Sequence, residues 1–279
     1  MKVYQTLNTL IPPKAWGSSV SIVIAHEHEK ELHQFGTGTL LKVSDDTFLV
    51  TAAHVVTQAY EHDKAICVAT GNSFTQIYGN WYCSSESDPF DVALLRLPAD
   101  VISKLREVSY IRLQDIEFRA DLSKGIFCLF GYPNRLSTPS IPNKVTMSLK
   151  PFQYMTYLYE GETNTLGGYQ EKYHLLLDGQ EEGRDIDGHA ARFCDSNGNP
   201  LRFPKDLSGI SGCSVWKIGN RDRHLSEWGR YRPKIVAVQT GVYSDAKVIK
   251  ATRWVAISTL LHEAYPELRP ALNLWHVEY

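Results

Sequence analysis

The chain has 279 residues, of which 43% are hydrophobic and 22% are charged, and its formal net charge is -2. This balance excludes disordered and fibrous proteins, and the near-neutral charge excludes a global field that would attract nucleic acid or anionic lipid. The length suits one large all-β domain or two small barrels that share an interface.

The N-terminal stretch and the cysteines indicate the cellular setting. Residues 1–19 contain no continuous apolar run after Lys2, and no later run of about 18 apolar residues suggests a membrane span. We therefore expect a soluble, cytoplasmic protein that makes no contact with membranes. The cysteines are odd in number and lack CxxC spacing, which predicts reduced, mostly buried thiols rather than a disulfide framework or a zinc ribbon. They are Cys67, Cys83, Cys128, Cys194 and Cys213.

Short strand-like runs dominate the chain from SVSIVIA at residues 19–25 to RWVAIS at residues 253–258. They are rich in β-branched and aromatic residues and are separated by turn-forming residues, which predicts an all-β fold. Only two segments look helical, VISKLREV at 101–108 and TLLHEAY at 259–265. The segment 161–204 is polar and rich in glycine, which predicts a loop system. We expect these loops to lie at the rim of the protein's functional site.

Three motifs carry residue types that suit nucleophilic catalysis. The run TFLVTAAHVV places His54 at the end of an apolar strand, and DPFDVALLRL places Asp91 at the start of a hydrophobic run. The third motif, LSGISGCSVW, surrounds Ser211 with Gly209 and Gly212 in a tight turn. A serine hydroxyl becomes a good nucleophile when an imidazole takes its proton and a carboxylate orients that imidazole. The amides of Gly209 and Ser211 are the expected donors to the oxyanion.

The motifs TAAH, DVALL and GxSG, in the order His, Asp, Ser, resemble those of the chymotrypsin-like serine peptidases. The resemblance is closest to their bacterial and intracellular branch, which includes the HtrA-type protease domains. It implies two six-stranded antiparallel β-barrels packed together, with a short C-terminal helix. It also implies a serine endopeptidase with the triad His54, Asp91 and Ser211, which needs no metal or organic cofactor. A protein or peptide substrate and a regulatory partner protein are the expected partners.

The resemblance also implies a domain organisation. Residues 1–279 form a single peptidase domain, in which residues 18–120 are the N-terminal barrel and residues 121–265 the C-terminal barrel. The first barrel carries His54 and Asp91, and the second carries Ser211. A C-terminal helix and tail occupy residues 259–279.

The substrate pocket is predicted from the same resemblance. Lys205 and Asp206 are adjacent and opposite in charge, and whichever faces the pocket decides between an acidic and a basic preference. The complete predicted lining is Lys205, Asp206, Ser208, Gln239, Thr240 and Gly241.

Two residues near the nucleophile depart from the family pattern. Ile210 stands where an Asp or Asn is usual, which predicts that a freshly cut N-terminus does not activate the protein. Cys213 stands where a Gly is common, which leaves the geometry of the oxyanion turn open. If this thiol is exposed, activity is expected to be sensitive to oxidation.

Other interpretations stay open on the sequence. Taken singly, His54, Asp91 and Ser211 each have a structural explanation, and only their joint order favours catalysis. Asp88 is a weaker candidate than Asp91 for the carboxylate, because it suits a turn. Ser208 is a weaker candidate than Ser211 for the nucleophile. One alternative is a binding module that keeps the barrels and has lost catalysis. Another is an α/β-hydrolase esterase that would pair Ser211 with His262 and with Asp222 or Asp245.

Overall fold

The computed structural model describes residues 11–25, 32–61, 65–70, 73–85, 87–118, 121–138, 147–179, 183–185, 190–191, 207–222, 227 and 232–273. Strands dominate these residues and form two large sheets, each with eight described strands.

The first sheet is built from the N-terminal half of the chain. Its hydrogen-bonded order is β5-β4-β1-β2-β3-β7-β6, and β8 pairs with β2 in the one parallel contact described for this sheet. The strands are β1 (Ser19–Ala25), β2 (Leu32–Val43), β3 (Asp46–Ala52), β4 (Ala65–Thr70), β5 (Ser73–Gln76), β6 (Trp81–Cys83), β7 (Val92–Arg96) and β8 (Ile111–Arg112).

The second sheet is built from the C-terminal half. Its order is β13-β18-β17-β16-β9-β12-β14-β15, and its described strand pairs are antiparallel. The strands are β9 (Gly125–Gly131), β12 (Phe152–Thr156), β13 (His174–Asp178), β14 (Gly183–Asp185), β15 (Ala190–Ala191), β16 (Ser214–Asn220), β17 (Lys234–Tyr243) and β18 (Val248–Arg253). A separate short hairpin joins β10 (Ser137–Thr138) and β11 (Ser148–Leu149).

A shared hydrophobic core holds the two sheets together. Successive side chains of a strand point to opposite faces, so Phe48 of β3 enters the core between the sheets whereas Leu49 enters a core formed by the first sheet alone. The second sheet contributes Phe130 and Trp216 to the shared core. The interface between the sheets is therefore a packed interior, in which buried apolar area supplies the main stabilisation.

Five short helices accompany the sheets in the described residues. The longest, α4, follows β18 directly and buries Trp254, Ile257, Leu260 and Leu261, a helical spacing that gives one apolar face toward the shared core. The helices are α1 (Pro13–Gly17), α2 (Ala53–Glu61), α3 (Ala99–Ile102), α4 (Trp254–Ala264) and α5 (Arg269–Asn273).

The predicted fold class is confirmed: the protein is mostly β, with two packed sheets and a helix near its C-terminus. The strand number is higher than the predicted six per sheet, because short strands such as β8 and β15 extend each sheet. The largely antiparallel sheets exclude the α/β-hydrolase alternative, which requires a parallel sheet covered by helices.

The helix predictions need correction at three places. The first helical segment covers only Ala99–Ile102, and the C-terminal helix begins at Trp254 rather than Thr259. Helix α2 was not expected, because the β-branched pair Val55 and Val56 continues an apolar strand pattern. This helix nevertheless buries one apolar side against the first sheet.

No described helix is both long and apolar enough to cross a bilayer. The four cysteines in the described residues are free thiols: Cys67, Cys128 and Cys213 are buried and Cys83 is half-buried. Cys194 lies outside the described residues, so the prediction of reduced thiols is not tested there.

Candidate active site

His54 is the second residue of helix α2 and not, as predicted, the end of a strand. Strand β3 ends at Ala52, and the chain turns directly into the helix. The turn is held by Asp91, whose backbone oxygen accepts a hydrogen bond from Ala53 N at 3.1 Å. The Asp91 carboxylate accepts a second bond, from His54 N to Oδ1 at 3.0 Å. One aspartate thus positions the start of the helix that carries the imidazole.

Asp91 lies immediately before strand β7, as predicted, and its backbone adopts a left-handed conformation with φ of 49°. Among non-glycine residues, Asp and Asn tolerate this region best. The antiparallel pairing of Ala52 with Val92 brings this residue beside the end of β3. The Oδ2 atom lies 2.8 Å from His54 Nδ1, so both carboxylate oxygens bond to His54.

The contact with Asp91 determines the tautomer of a neutral His54. An ionised carboxylate can only accept, so the proton of the imidazole lies on Nδ1 and Nε2 keeps its lone pair. The Nε2 atom is then able to take a proton from a neighbouring hydroxyl. This is the arrangement that a general base requires.

The segment 89–91 that precedes β7 is held by the second sheet. His174 Nε2 donates to Pro89 O at 2.7 Å, and the Thr252 hydroxyl donates to Phe90 O at 2.5 Å. The Phe90 ring also packs edge-on against Tyr173, with ring centroids 4.8 Å apart. The position of Asp91 in the first sheet therefore depends on contacts with the second.

His174 makes this contact pH-dependent. Burial is the main cause that lowers its pKa from the usual 6.5, with Lys250 acting in the same direction. The neutral ring donates from Nε2 and accepts the Gln170 amide at Nδ1. As pH falls below about 6.5, the unfolded chain gains a proton that the folded chain excludes, so stability is lost toward the lowered folded pKa.

We expect the wild type to lose more unfolding free energy between pH 7 and pH 5 than a His174→Gln variant, which lacks this titration. Urea unfolding of both proteins across the range measures the difference, in which contributions from all other titrating groups cancel. Parallel stability profiles would show that His174 protonates equally in both states.

Ser211 lies in a tight turn, residues 207–213, which leads into strand β16 and is called the oxyanion turn below. Gly209 and Gly212 have φ values of 94° and 92°, in the region that favours glycine. A Cβ on Gly212 would stand 2.0 Å from Thr37 O and 2.2 Å from Thr51 Oγ1. Both glycines that surround the serine are therefore required by the backbone.

The peptide carbonyls of this turn are held in fixed directions. Asn134 N donates to Ser208 O and Cys213 N donates to Ile210 O, both at 2.8 Å. In a planar trans peptide the N–H points opposite to the C=O, so the amides of Gly209 and Ser211 point away from these contacts. Within the described residues, neither amide donates a hydrogen bond to protein.

The two departures from the family pattern are accommodated by packing. Ile210 is 2% exposed and lies in an apolar cluster of the second sheet together with Leu207 and Cys213. Cys213 is fully buried, and its burial raises the pKa of the thiol. Because the thiol is not exposed, the condition for oxidation sensitivity is not met. Apolar burial of Ile210 anchors the turn at the position where the chymotrypsin-like peptidases usually have an Asp or Asn.

Ser211 and His54 face the same cleft, which has a volume of about 320 Å³. No hydrogen bond joins their side chains in the described part of the chain, a common situation before a substrate tightens the site. Of the predicted pocket residues, Ser208, Gln239 and Gly241 line this cleft. Its remaining lining consists of Leu207, Val242 and Ser244.

Of the other three predicted pocket residues, the structure describes only Thr240. Thr240 does not line the cleft, because a bulge in β17 turns its hydroxyl toward Thr252, at 3.1 Å on the neighbouring strand. Lys205 and Asp206 lie outside the described residues. The same holds for much of segment 161–204, whose location at the rim stays a prediction.

Sequence reasoning missed the residues that support the turn from the first sheet. Strand β2 contributes Gln34, Thr37 and Thr39, whose side chains donate to carbonyls of the oxyanion turn. The main chain joins in through Thr37 N, which donates to Ser211 O at 2.8 Å. The only sequence signal for this support is the pair of alternating threonines in GTGTLL, Thr37 and Thr39. That pattern does not reveal a hydrogen-bond partner about 170 residues away.

No family model and no curated protein matches the chain. Solved structures similar to it include a Glu endopeptidase in complex with MPD, with 13% identity over 89% of this chain and 90% of that chain and a TM-score of 0.48. A thermostable serine protease, AL20 from an extremophilic microorganism, has 10% identity over 91% and 98%, with a TM-score of 0.47. The inactive form of Rv3671c protease has 13% identity over 94% and 93%, with a TM-score of 0.42.

Proposed function

We propose that the protein is a serine endopeptidase in which Ser211 is the nucleophile, His54 the general base and Asp91 the residue that orients it. One observation carries this proposal: both oxygens of the Asp91 carboxylate bond to His54, whose ring shares a cleft with Ser211. One of these bonds positions the start of the helix that carries the imidazole, and the other orients the ring itself. The proposed substrate is a protein or peptide.

The proposed reaction follows from the placement of protons. His54 Nε2 takes the Ser211 proton as Oγ attacks the peptide carbonyl, and the Gly209 and Ser211 amides donate to the resulting oxyanion. The imidazolium then gives its proton to the leaving amine, and an acyl-enzyme ester remains on Ser211. Water then gives a proton to His54 as its oxygen attacks the ester carbon. The bond to Ser211 Oγ breaks, His54 returns the proton to this oxygen and the acid leaves.

The cleft supports a pocket for the side chain beside the cleaved bond. Apart from His54, its described lining contains no ionisable side chain, with the apolar Leu207 and Val242 beside the polar Ser208 and Gln239. A charged substrate side chain would lose its hydration on entering this pocket, and the described lining offers no opposite charge to offset that cost. We propose that the described part of this pocket favours uncharged side chains and that any charge preference comes from Lys205 or Asp206, as the sequence predicts.

Labelling with a fluorophosphonate probe tests the proposed activity. Such a probe phosphonylates a serine only where a base and an oxyanion site activate it. We expect mass spectrometry of the labelled protein to place the adduct on Ser211, and we expect His54→Ala to slow labelling by at least about 10³-fold.

Ser211→Ala is the control that removes the acceptor and is expected to show no adduct. An adduct on Ser208 instead would reassign the nucleophile. A folded wild-type protein that neither reacts with the probe nor cleaves denatured casein would contradict the proposal and favour the binding module.

A further inference from the structure

The carbonyl of Gly209 accepts two hydrogen bonds from strand β2 of the first sheet. Gln34 Nε2 donates to it at 3.0 Å and Thr37 Oγ1 donates at 2.9 Å. Both side chains are buried, with 4% and 0% of their surfaces exposed. These donors reach across the interface between the sheets to the backbone of the oxyanion turn.

This carbonyl belongs to the peptide between the two that supply the oxyanion donors. Rotating it changes ψ of Gly209 and φ of Ile210, and with them the relative direction of the Gly209 and Ser211 amides. Gly209 has no side chain to resist such a rotation. Two buried donors on its oxygen resist it, because the Thr37 hydroxyl would lose this acceptor and Gln34 Nε2 would keep only its second acceptor, Gly36 O at 2.8 Å.

Asn134 completes this network. Its Oδ1 and Gln34 Oε1 are buried with no hydrogen-bond partner among the described residues, and each lies 2.2 Å from the point where a Cβ on Gly209 would stand. The two oxygens are therefore at most twice that distance apart. Turning the Asn134 amide over presents its Nδ2 to Gln34 and its oxygen to the Ser208 hydroxyl, which then donates. In this orientation the Asn134 oxygen has a donor in Ser208, and its Nδ2 faces the Gln34 oxygen.

We propose that Gln34 and Thr37 are positioning residues that keep the oxyanion turn in its donating conformation, with Asn134 supporting Gln34. The inference rests on the proposed function, since the turn matters for catalysis only if Ser211 is the nucleophile. It assigns a role in turnover to side chains that touch neither the substrate nor the reacting atoms.

Thr37→Val and Gln34→Leu test this role, because each removes a donor to Gly209 O while keeping a side chain of similar volume. Each also removes one other contact, from Tyr132 N to Thr37 Oγ1 and from Gln34 Nε2 to Gly36 O, so an effect that both variants share points to the Gly209 carbonyl. Losing an oxyanion donor outright lowers kcat by about 10²–10³-fold, so loosening the turn is expected to lower kcat by about 10–100-fold. KM is expected to stay within about threefold, because uniform binding is not altered. Thr37→Ser keeps the hydroxyl and is expected to keep the kcat of the wild type.

Thr39→Val is the matched control. Thr39 lies on the same strand, is equally buried and donates to Gly212 O at 3.2 Å, a carbonyl that lies beyond the two donor amides. A merely structural role predicts that all three variants lose thermal stability and none loses kcat. Equal losses of kcat in Thr39→Val and Thr37→Val would also overturn the proposal.

Amide hydrogen exchange of the 207–213 peptide provides a readout that needs no activity. Faster exchange in Thr37→Val and Gln34→Leu than in Thr39→Val supports the positioning role, whereas equal exchange overturns it. Cleavage that is unchanged in Ser211→Ala would overturn the proposed function. Cleavage that depends on Ser211 but keeps its kcat in Thr37→Val and Gln34→Leu would overturn only the positioning role.

Discussion

Asp91→Asn is expected to lower kcat for peptide hydrolysis by about 10⁴-fold without disturbing the fold. The reason lies in the second contact of the carboxylate, the bond from His54 N to Oδ1. An asparagine must keep its oxygen at that position, because its NH₂ group cannot accept. Its nitrogen then faces His54 Nδ1, which must accept, so the ring proton moves to Nε2. A ring in that tautomer cannot take the proton of Ser211.

Asp88→Asn is the matched control, because Asp88 lies in the same loop and accepts a hydrogen bond only from Ser85 N among the described contacts. It is expected to leave kcat unchanged. The measurement is steady-state hydrolysis of a peptide taken from a casein cleavage site, with circular dichroism to check the fold. Wild-type turnover in Asp91→Asn would show that His54 needs no carboxylate to orient it.

The residues proposed for catalysis were predictable from the sequence because each belongs to a local pattern. Asp91 precedes an apolar strand and Ser211 lies between two glycines, and the structure keeps both features. His54 was predicted in the wrong element, since Val55 and Val56 favour a strand by propensity. Tertiary packing overrides that preference by burying both valines in a helix against the first sheet.

The support of the oxyanion turn was not predictable, because it depends on register between distant segments. Gln34 meets Gly209 only after β2 has paired within the first sheet and the two sheets have packed. Side-chain donors to a backbone carbonyl leave no periodic signal in a sequence. The same holds for Thr240, whose orientation follows from a bulge that one residue of β17 introduces.

The site consequently belongs to the interface and to neither sheet alone. The first sheet carries His54 and Asp91, yet His174 and Thr252 of the second hold the segment before Asp91. The second sheet carries Ser211, yet β2 of the first holds its turn. Any change that separates the sheets is therefore expected to disrupt the catalytic geometry before either sheet unfolds.

Gly212→Ala is expected to be the most destabilising single substitution at the site, with a loss of about 3 kcal/mol or more in unfolding free energy. Two effects combine. The φ of 92° is unfavourable for any residue with a Cβ, and that Cβ would stand 2.0 Å from Thr37 O. The obstacle is backbone in the middle of a paired strand, so it cannot move aside as a flexible side chain would. Urea denaturation measures the loss.

Gly168→Ala separates the two effects. Gly168 has a φ of 70° but nothing within 4 Å of its Cβ position, so alanine there carries only the conformational penalty, about 1 kcal/mol. The difference between the two variants is the cost of pushing β2 away from the oxyanion turn. Because Ser211 is the neighbour of Gly212, the same displacement is expected to abolish fluorophosphonate labelling in Gly212→Ala and leave it intact in Gly168→Ala. Equal stability losses, or full labelling of Gly212→Ala, would show that the interface yields to a methyl group and is not the rigid support described above.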